Sequence, residues 1–234
     1  MGHDKVVMIG WRAKNSFNKK LGAKYPPSYP NEMLVKICSS KRYSRLTKAL
    51  FTKNKLKVCE IGCLSGNNIR FFLDKKWTTY GVEINIDLLK LAKKNLKRFK
   101  QKASNLKIGN NENLPFKSNY FDLLASINTI HYSSGKNIEN AIKEYSRVLK
   151  KGGLAIIETP SPKHDAVKNS KKKRDNLWIW KWGGFRNNQQ MGFFDDKKKL
   201  KTKLKKHFSK VEINERSEDY QDIKLYWYFI ICKK

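Results

Sequence analysis

Strand-like and helix-like patterns alternate along the chain. Short apolar runs rich in β-forming residues predict strands at 56–61, 78–83, 106–109, 121–127 and 154–159. Before and between these runs, apolar residues recur at three- and four-residue steps and predict helices over 32–51, 68–76, 86–99 and 137–151. Asn31 is expected to cap the first of these helices. This alternation predicts an α/β fold with a mostly parallel sheet covered by helices on both faces.

The alternation stops after the fifth predicted strand. Residues 161–192 are basic, rich in tryptophan and interrupted by glycines. A helix is predicted over 195–208, followed by two strands that must lie antiparallel or pair as a hairpin. Residues 1–30 are polar, with scattered aromatics and three prolines, and predict irregular structure or a lid. We therefore expect an N-terminal segment at 1–30 and one domain at 31–234, with an insert at 161–192.

Composition limits the class of protein. The 234 residues are 39% hydrophobic and 12% aromatic, which is typical of a globular chain. We find no apolar run long enough to span a membrane, and the N-terminus has no signal-peptide pattern. The four cysteines form no C-x-x-C pair and no histidine cluster lies beside them. We therefore expect no metal site and a reducing, cytoplasmic location.

The net charge of +31 has two explanations. A strongly basic chain is typical of a nucleic-acid partner. Lysine, however, greatly outnumbers arginine, and asparagine is abundant, as AT-rich coding would produce. We favour coding bias, because phosphate-binding grooves prefer the arginine fork and the lysines are spread along the chain. A nucleic-acid partner stays open as the alternative.

A glycine turn follows the first predicted strand. Gly62 and Gly66 let the backbone pass close to a ligand, and the next helix offers free N–H groups at its N-terminus. Glu83 ends the second strand, 21 residues after Gly62, where a carboxylate can accept hydrogen bonds from both hydroxyls of a ribose. A dinucleotide fingerprint would need glycine where Leu64 and Asn67 stand. A nucleoside ligand without a pyrophosphate therefore fits better.

A series of motifs in order resembles the class I S-adenosylmethionine-dependent methyltransferases of the type 11-like group, over about residues 31–232. The chain reads VCEIGCLSG at the first motif, YGVEIN at the second, GNNENLPFKSNYFDLLASINTIHY across the third and fourth, and YSRVLKKGGLAIIETP at the fifth. The closing strands match as well. The resemblance implies a Rossmann-like three-layer α/β/α sandwich, with a seven-stranded, mostly parallel sheet and one antiparallel strand near the C-terminus. It also implies S-adenosylmethionine as the cofactor.

The resemblance further implies which residues bind that cofactor. Glu60 and the loop would surround its methionine portion, with Asn128 flanking it, while Glu83 would hold the ribose and Asn110 and Asn111 would meet the adenine edge. The full set of expected cofactor residues is Glu60, Gly62, Cys63, Leu64, Gly66, Glu83, Ile84, Asn110, Asn111, Glu112 and Asn128.

Two positions depart from the family's pattern. Leu64 replaces the middle glycine of the family's first motif. If that position needs a positive φ, the leucine strains the loop. If it does not, the loop keeps its conformation and presents a bulkier side chain to the ligand. Asn110 replaces the aspartate at the adenine edge, and its amide oxygen can still accept a hydrogen bond.

Methyl transfer from a sulfonium is an in-line displacement in which the enzyme mainly positions the nucleophile. An oxygen acceptor also gains from a general base. His131, after the fourth strand, is the first candidate base, and His164, after the fifth, is the second. Both follow carboxyl ends of strands, where ligands bind in open α/β sheets. A surface or hydrogen-bonded structural role is the competing interpretation for each.

Aromatic residues are the candidates for contact with the acceptor. Trp178, Trp180 and Trp182 alternate in the insert. They either stack on a substrate or form a strand-like edge that packs on residues 1–30 and closes a small subdomain. Tyr25 and Tyr29 would complete a roof from the N-terminal side, and Tyr132 is the remaining expected substrate residue.

Three functions stay open at this point. The short chain, without a recognisable RNA-binding domain, favours transfer to a small molecule, a sugar or a glycan intermediate, with oxygen as the acceptor atom. RNA or ribosomal-protein methylation is the alternative that the charge suggests. The sequence INTI after the fourth strand differs from the Asn/Asp-Pro-Pro-aromatic run of enzymes that methylate base amino groups. A non-catalytic, cofactor-binding scaffold is the third function, with Leu64 as its mark.

Overall fold

The computed structural model describes residues 29–52, 55–99, 102, 105–182 and 186–234. In this part of the chain the strands are β1 (Lys57–Ile61), β2 (Thr78–Glu83), β3 (Leu106–Ile108), β4 (Phe121–Ile127), β5 (Leu149–Pro160), β6 (Lys171–Arg174), β7 (Leu177–Ile179), β8 (Gln190–Met191), β9 (Lys210–Tyr220) and β10 (Ile223–Lys233). The α-helices are α1 (Glu32–Ser39), α2 (Asn67–Asp74), α3 (Ile86–Leu96), α4 (Asn137–Val148), α5 (Asp165–Lys168) and α6 (Lys197–Lys205). Most of the predicted N-terminal segment, including Tyr25, lies outside the described residues.

The main sheet has seven strands in the order β3-β2-β1-β4-β5-β10-β9. The pairs among β1 to β5 are all parallel. β10 runs antiparallel to both of its neighbours, β5 and β9. The predicted Rossmann-like sheet with one antiparallel strand near the C-terminus is therefore confirmed.

Helices cover both faces of this sheet because successive strand residues point to opposite sides. On one face, Val58 and Leu123 pack with residues of α1 and α2, including Leu34 and Phe72. On the other face, the neighbouring strand residues pack with α4, α6 and β10. α3 packs against α2 and β3 in a third cluster. These layers form the predicted α/β/α sandwich.

All five predicted helices extend beyond the C-terminal ends of the observed ones. The first ends at Ser39 and is followed by a 3-10 helix at Leu46–Phe51, because Ser40 is extended and Ser44 Oγ accepts a hydrogen bond from the Leu46 N–H. The helix predicted over 137–151 ends at Val148, since Leu149 begins β5 opposite Phe121. The helix predicted over 195–208 covers Lys197–Lys205 and is capped by Asp196.

The predicted insert contains α5 and a separate three-stranded sheet in the order β6-β7-β8. Gly192, just after β8, donates its N–H to the carbonyl of His131 at 2.7 Å. Gly192 has no room for a Cβ atom, which would overlap the carbonyl of Ser133. The insert is therefore fixed against the turn that follows β4. Among the described residues, no helix combines the length and apolarity that a membrane span requires.

Candidate functional site

The loop between β1 and α2 is held against the end of β2. The N–H groups of Gly62 and Cys63 both donate to the carbonyl of Val82, at 2.8 and 3.0 Å. Gly62 has φ +72°, and a Cβ there would lie 2.5 Å from Thr129 Oγ1. Gly66, with φ +85°, precedes the first residue of α2 in the left-handed region. Both glycines are thus required by backbone conformation and by close packing.

Leu64 lies at the position where the sequence left two alternatives, and the structure decides between them. Its φ is +44°, so this L-residue is held in the left-handed region. That conformation costs a residue with a Cβ roughly 1–2 kcal/mol. The Leu64 side chain also lines a cleft above the sheet. Leu64 therefore strains the loop, and its side chain narrows the cleft.

Glu83 joins this loop to the end of β2. Its Oε2 accepts a hydrogen bond from the Leu64 N–H and its Oε1 accepts one from the Asn85 N–H, each at 3.0 Å. Burial raises the pKa of the Glu83 carboxyl, and hydrogen bonds from three backbone N–H groups oppose that shift. The carboxylate is thereby fixed in direction. Each oxygen keeps a lone pair with which to accept a ligand hydroxyl.

The cleft follows the carboxyl ends of β1, β2, β3 and β4 and encloses about 190 Å³. It is lined by Ile61, Gly62, Leu64, Val82, Glu83, Ile84, Gly109, Asn110, Asn111, Glu112, Ile127, Asn128, Thr129, Tyr132, Ser133 and Arg186. Eight of the eleven expected cofactor residues are among these, namely Gly62, Leu64, Glu83, Ile84, Asn110, Asn111, Glu112 and Asn128. The structure thus brings most of the predicted set together.

The other three expected cofactor residues do not line the cleft. Cys63 is buried in the cluster between α2 and α3, so it contributes backbone to the turn. Gly66 lies before α2. Glu60 is buried, and its Oε1 accepts a hydrogen bond from Asn68 Nδ2 at 2.6 Å. Burial raises the Glu60 pKa to about 8, so this carboxyl is largely protonated at neutral pH.

The two asparagines at the expected adenine edge have different surroundings. Asn110 Oδ1 accepts a hydrogen bond from the Asn113 N–H at 2.8 Å and keeps a second lone pair for a ligand. The side chain of Asn111 is buried and fully engaged: its Nδ2 donates to Ser133 Oγ and its Oδ1 accepts from Tyr145 OH. Asn111 therefore shapes the cleft with its backbone, and its side chain ties the loop after β3 to α4.

Asn128 lies at the end of β4 with φ +53°, which asparagine tolerates. Its Nδ2 donates to Glu158 Oε2 at 3.2 Å, and its backbone N–H donates to the Glu158 carbonyl. Its Oδ1 is a buried acceptor without a hydrogen-bond partner in the structure. Glu158 also binds Asn31 Nδ2 and pairs with Arg216. The tether to Glu158 fixes the direction of the Asn128 amide at the end of β4.

Neither candidate base is among the residues that line the cleft. His131 is buried, its ring centroid lies 4.7 Å from that of Tyr132, and its Nδ1 has no hydrogen-bond partner in the structure. Burial lowers its pKa to about 3. His164 accepts the Ala166 N–H with Nδ1 and so caps α5, and burial lowers its pKa to about 4. Both imidazoles are neutral at physiological pH.

The aromatic candidates separate into two groups. Tyr132 lines the cleft, and Tyr29 is exposed beside α2, where its carbonyl accepts from Asn67 Nδ2. Trp178 and Trp180 pack around Phe193 in a small core, with ring centroids 6.1 and 6.4 Å from that residue. Trp182 is exposed, with its ring 5.9 Å from Trp180. Trp178 lies in β7, and Trp180 and Trp182 follow it. Most of residues 1–30, on which the second interpretation packs the tryptophans, lies outside the described residues, so both interpretations stay predictions.

Sequence reasoning missed several residues of the cleft. Thr129 and Ser133 lie in the quoted segment after β4, but no spacing marked them as lining residues. Arg186 comes from the insert, more than fifty positions further along the chain, and contacts Tyr132 through a hydrogen bond from its Nε at 2.7 Å. Its place in the basic, Trp-rich insert was the one available signal.

Comparison with known proteins finds similarity over part of the chain. A family model described as a methyltransferase domain matches residues 59–157. An uncharacterized protein of Methanocaldococcus jannaschii is 31% identical over 137 residues, covering 56% of this chain and 55% of that protein. An uncharacterized methyltransferase of Anoxybacillus flavithermus is 27% identical over 115 residues, covering 49% and 52%. The chain thus spans about half the length of the curated relatives it matches.

Solved structures support the same fold. An S-adenosylmethionine-dependent methyltransferase from Methanosarcina mazei superposes with a TM-score of 0.63 and 19% identity, covering 79% of this chain and 94% of that one. The resemblance to class I S-adenosylmethionine-dependent methyltransferases is thereby confirmed, and S-adenosylmethionine is the cofactor that such a domain implies. The residues present fit it: the crowded glycine turn, Glu83 with its fixed carboxylate and Asn128 with its unpartnered Oδ1 all line one cleft.

Proposed function

We propose that this chain, through its class I methyltransferase domain, transfers a methyl group from S-adenosylmethionine to an oxygen of a small-molecule, sugar or glycan acceptor. One observation carries the proposal. The glycine turn, Glu83 and Asn128 meet in a single cleft at the carboxyl ends of adjacent parallel strands. A concave, largely apolar cleft is the usual form of a small-molecule site.

The chain's own residues would bind and orient. When bound, the cofactor supplies an electrophilic methyl group on a sulfonium. Glu83 would hold the ribose hydroxyls, and the turn at Gly62 and Leu64 would take the methionine portion. Asn128, held by Glu158, would offer its Oδ1 to a hydrogen-bond donor at the same end.

A base for the acceptor is a separate part of the proposal. His131 is the better candidate, because its neighbour Tyr132 lines the cleft, whereas His164 uses its Nδ1 to cap α5. A pKa near 3 makes His131 a weak base in the closed structure. We therefore assign most of the rate to positioning of the acceptor.

The test is release of S-adenosylhomocysteine from S-adenosylmethionine in the presence of hydroxylated metabolites and sugars. Transfer by the wild-type chain that is lost in Glu83→Gln supports the proposal. Cofactor binding without release of S-adenosylhomocysteine on any acceptor would favour the non-catalytic scaffold, the interpretation that the Leu64 substitution suggests.

An RNA acceptor is the second candidate, and one observation favours it. All four residues of β6, Lys171–Arg174, are exposed cations at the edge of the insert. If RNA is the acceptor, binding should weaken steeply with salt, in proportion to the phosphates contacted. Weak RNA binding at physiological salt would favour coding bias as the explanation of the net positive charge. The cytoplasmic location likewise stays a prediction, in keeping with four free, buried cysteines.

A further inference from the structure

We propose that the acceptor carries an anionic group, a carboxylate or a phosphate, and that Arg186 binds it at the cleft. This inference rests on the proposed function and specifies the class of acceptor. It starts from the position of one guanidinium that neither the motifs nor the proposed cofactor contacts use.

Arg186 is held in a defined geometry. Its Nε donates a hydrogen bond to Tyr132 OH at 2.7 Å. The guanidinium carbon lies 5.7 Å from the centroid of the Tyr132 ring and 5.5 Å from that of Trp180. These contacts preorganise the planar group, so less side-chain entropy is lost when a ligand binds.

Arg186 reaches the cleft from the β4 side. Glu83 marks the β2 side of the cleft, and the sheet order places β4 and β5 on the opposite side of β1. Arg186 belongs to the insert that follows β5, and it contacts Tyr132 in the turn that follows β4. An acceptor must approach the methyl group from the side that the nucleoside leaves open.

Arg186 is the positively charged side chain of the cleft. Among the described residues that line the cleft, the ionisable acids are Glu83 and Glu112, and Arg186 is the one cation. Guanidinium binds carboxylates and phosphates as a bidentate, charge-assisted pair, which neutral hydroxyl or amide groups do not reproduce. Tyr132 and Trp180 add aromatic surface beside the charge.

The insert holds this arrangement in place. The Gly192 N–H donates to the His131 carbonyl at 2.7 Å, and Asn176 Nδ2 donates to the Phe193 carbonyl at 2.9 Å. Phe193 in turn packs against Trp180. The position of Arg186 therefore depends on the same small core that fixes the insert to the domain.

The test uses matched acidic and neutral probes that share one ring. Benzoate, phenyl phosphate and benzamide are titrated by calorimetry into the full chain, with and without saturating S-adenosylhomocysteine. The titrations are repeated with Arg186→Gln and Arg186→Lys. Arg174→Gln, which removes the same charge from exposed β6, is the matched control. S-adenosylhomocysteine affinity is measured for every variant.

We expect an acidic probe to bind the wild-type chain roughly tenfold or more tightly than benzamide. Arg186→Gln should abolish that preference, Arg186→Lys should restore part of it, and Arg174→Gln should keep it. The acid preferred, benzoate or phenyl phosphate, identifies the anion. S-adenosylhomocysteine affinity should stay within about twofold in all variants.

Three results would overturn the inference. One is the absence of an acid preference in the wild-type chain, including binding of no probe. Another is a preference that survives in Arg186→Gln. The third is a loss of S-adenosylhomocysteine affinity in Arg186→Gln, which would assign the guanidinium to the cofactor's own carboxylate. Failure of the proposed function is distinguishable, because the wild-type chain would then release no S-adenosylhomocysteine from S-adenosylmethionine with any acceptor, whatever the probes do.

Discussion

The strain at Leu64 is measurable by comparing two truncations of the same side chain. Leu64→Gly and Leu64→Ala both remove the half-buried isobutyl group and the wall it gives to the cleft. They differ in whether a Cβ remains at φ +44°. In the left-handed region a Cβ costs roughly 1–2 kcal/mol. In ordinary backbone the order is reversed, because glycine is about 0.5–1 kcal/mol less stable than alanine in an element interior.

We therefore expect Leu64→Gly to be more stable than Leu64→Ala by about 1 kcal/mol, once part of the strain is offset by the backbone entropy of glycine. Urea denaturation followed by circular dichroism measures the difference. With a slope of about 2 kcal/mol per molar urea, the two midpoints should differ by about 0.5 M.

The matched control is the same pair of substitutions at Lys90, an exposed position in α3 whose side chain is 71% accessible. There Lys90→Ala should be the more stable variant by about 1 kcal/mol, as in any exposed helix interior. If Leu64→Ala proved as stable as Leu64→Gly or more so, the reasoning about a strained loop would be refuted. A reversal of order between the two sites would support it.

Three further predictions follow from the buried polar groups and the crowded turn. Burial raises the Glu60 pKa from its unfolded value of 4.5 to about 8, so the native state holds a proton that the unfolded chain loses. The free energy of unfolding should therefore fall as pH rises between these two values, and urea midpoints at several pH values check this. Glu60→Gln should flatten this dependence of stability on pH. Gly62→Ala should lower the free energy of unfolding by about 2–4 kcal/mol, because the new Cβ clashes with Thr129 Oγ1 and the backbone has a positive φ. Thermal denaturation measures this loss, and unchanged stability would contradict the crowding. Asn31→Ala should lower the free energy of unfolding by about 2 kcal/mol, because it removes both the α1 cap and a hydrogen bond to Glu158. Asn31→Ser should recover the cap alone and therefore lose less. Equal losses of stability in the two variants would show that the cap contributes little.

The strands of the central sheet were the most predictable part of this fold. β2 and β4 begin and end where the apolar, β-rich runs predicted, because strands buried on both faces carry near-continuous apolar residues. Asn31 caps α1 as predicted, since an N-cap depends on local backbone geometry. Local patterns therefore sufficed where the physical cause was itself local.

Errors arose where distant contacts override a local signal. The segment from Leu149 to Gly153 resembles the end of a lysine-rich helix, yet Leu149 pairs with Phe121 and extends β5. The backbone conformation of Leu64 depends on hydrogen bonds between its loop and residues Val82 and Glu83 of β2. The sequence alone therefore did not determine whether the φ of Leu64 is positive. Arg186 reaches the cleft through the packing of a small separate sheet, which no spacing along the sequence reveals.

The most direct test of the central claim is calorimetric titration of S-adenosylhomocysteine into the wild-type chain, Glu83→Gln and Glu139→Gln. Glu139→Gln removes a carboxylate of α4 that pairs with Lys203, away from the lining of the cleft. We predict micromolar binding by the wild-type chain and by Glu139→Gln. In Glu83→Gln the affinity should weaken about tenfold or more, because the amide replaces two charged acceptor oxygens with one neutral acceptor and an NH2 donor. No binding by the wild-type chain, or equal binding by Glu83→Gln, would contradict the assignment of this cleft to the cofactor.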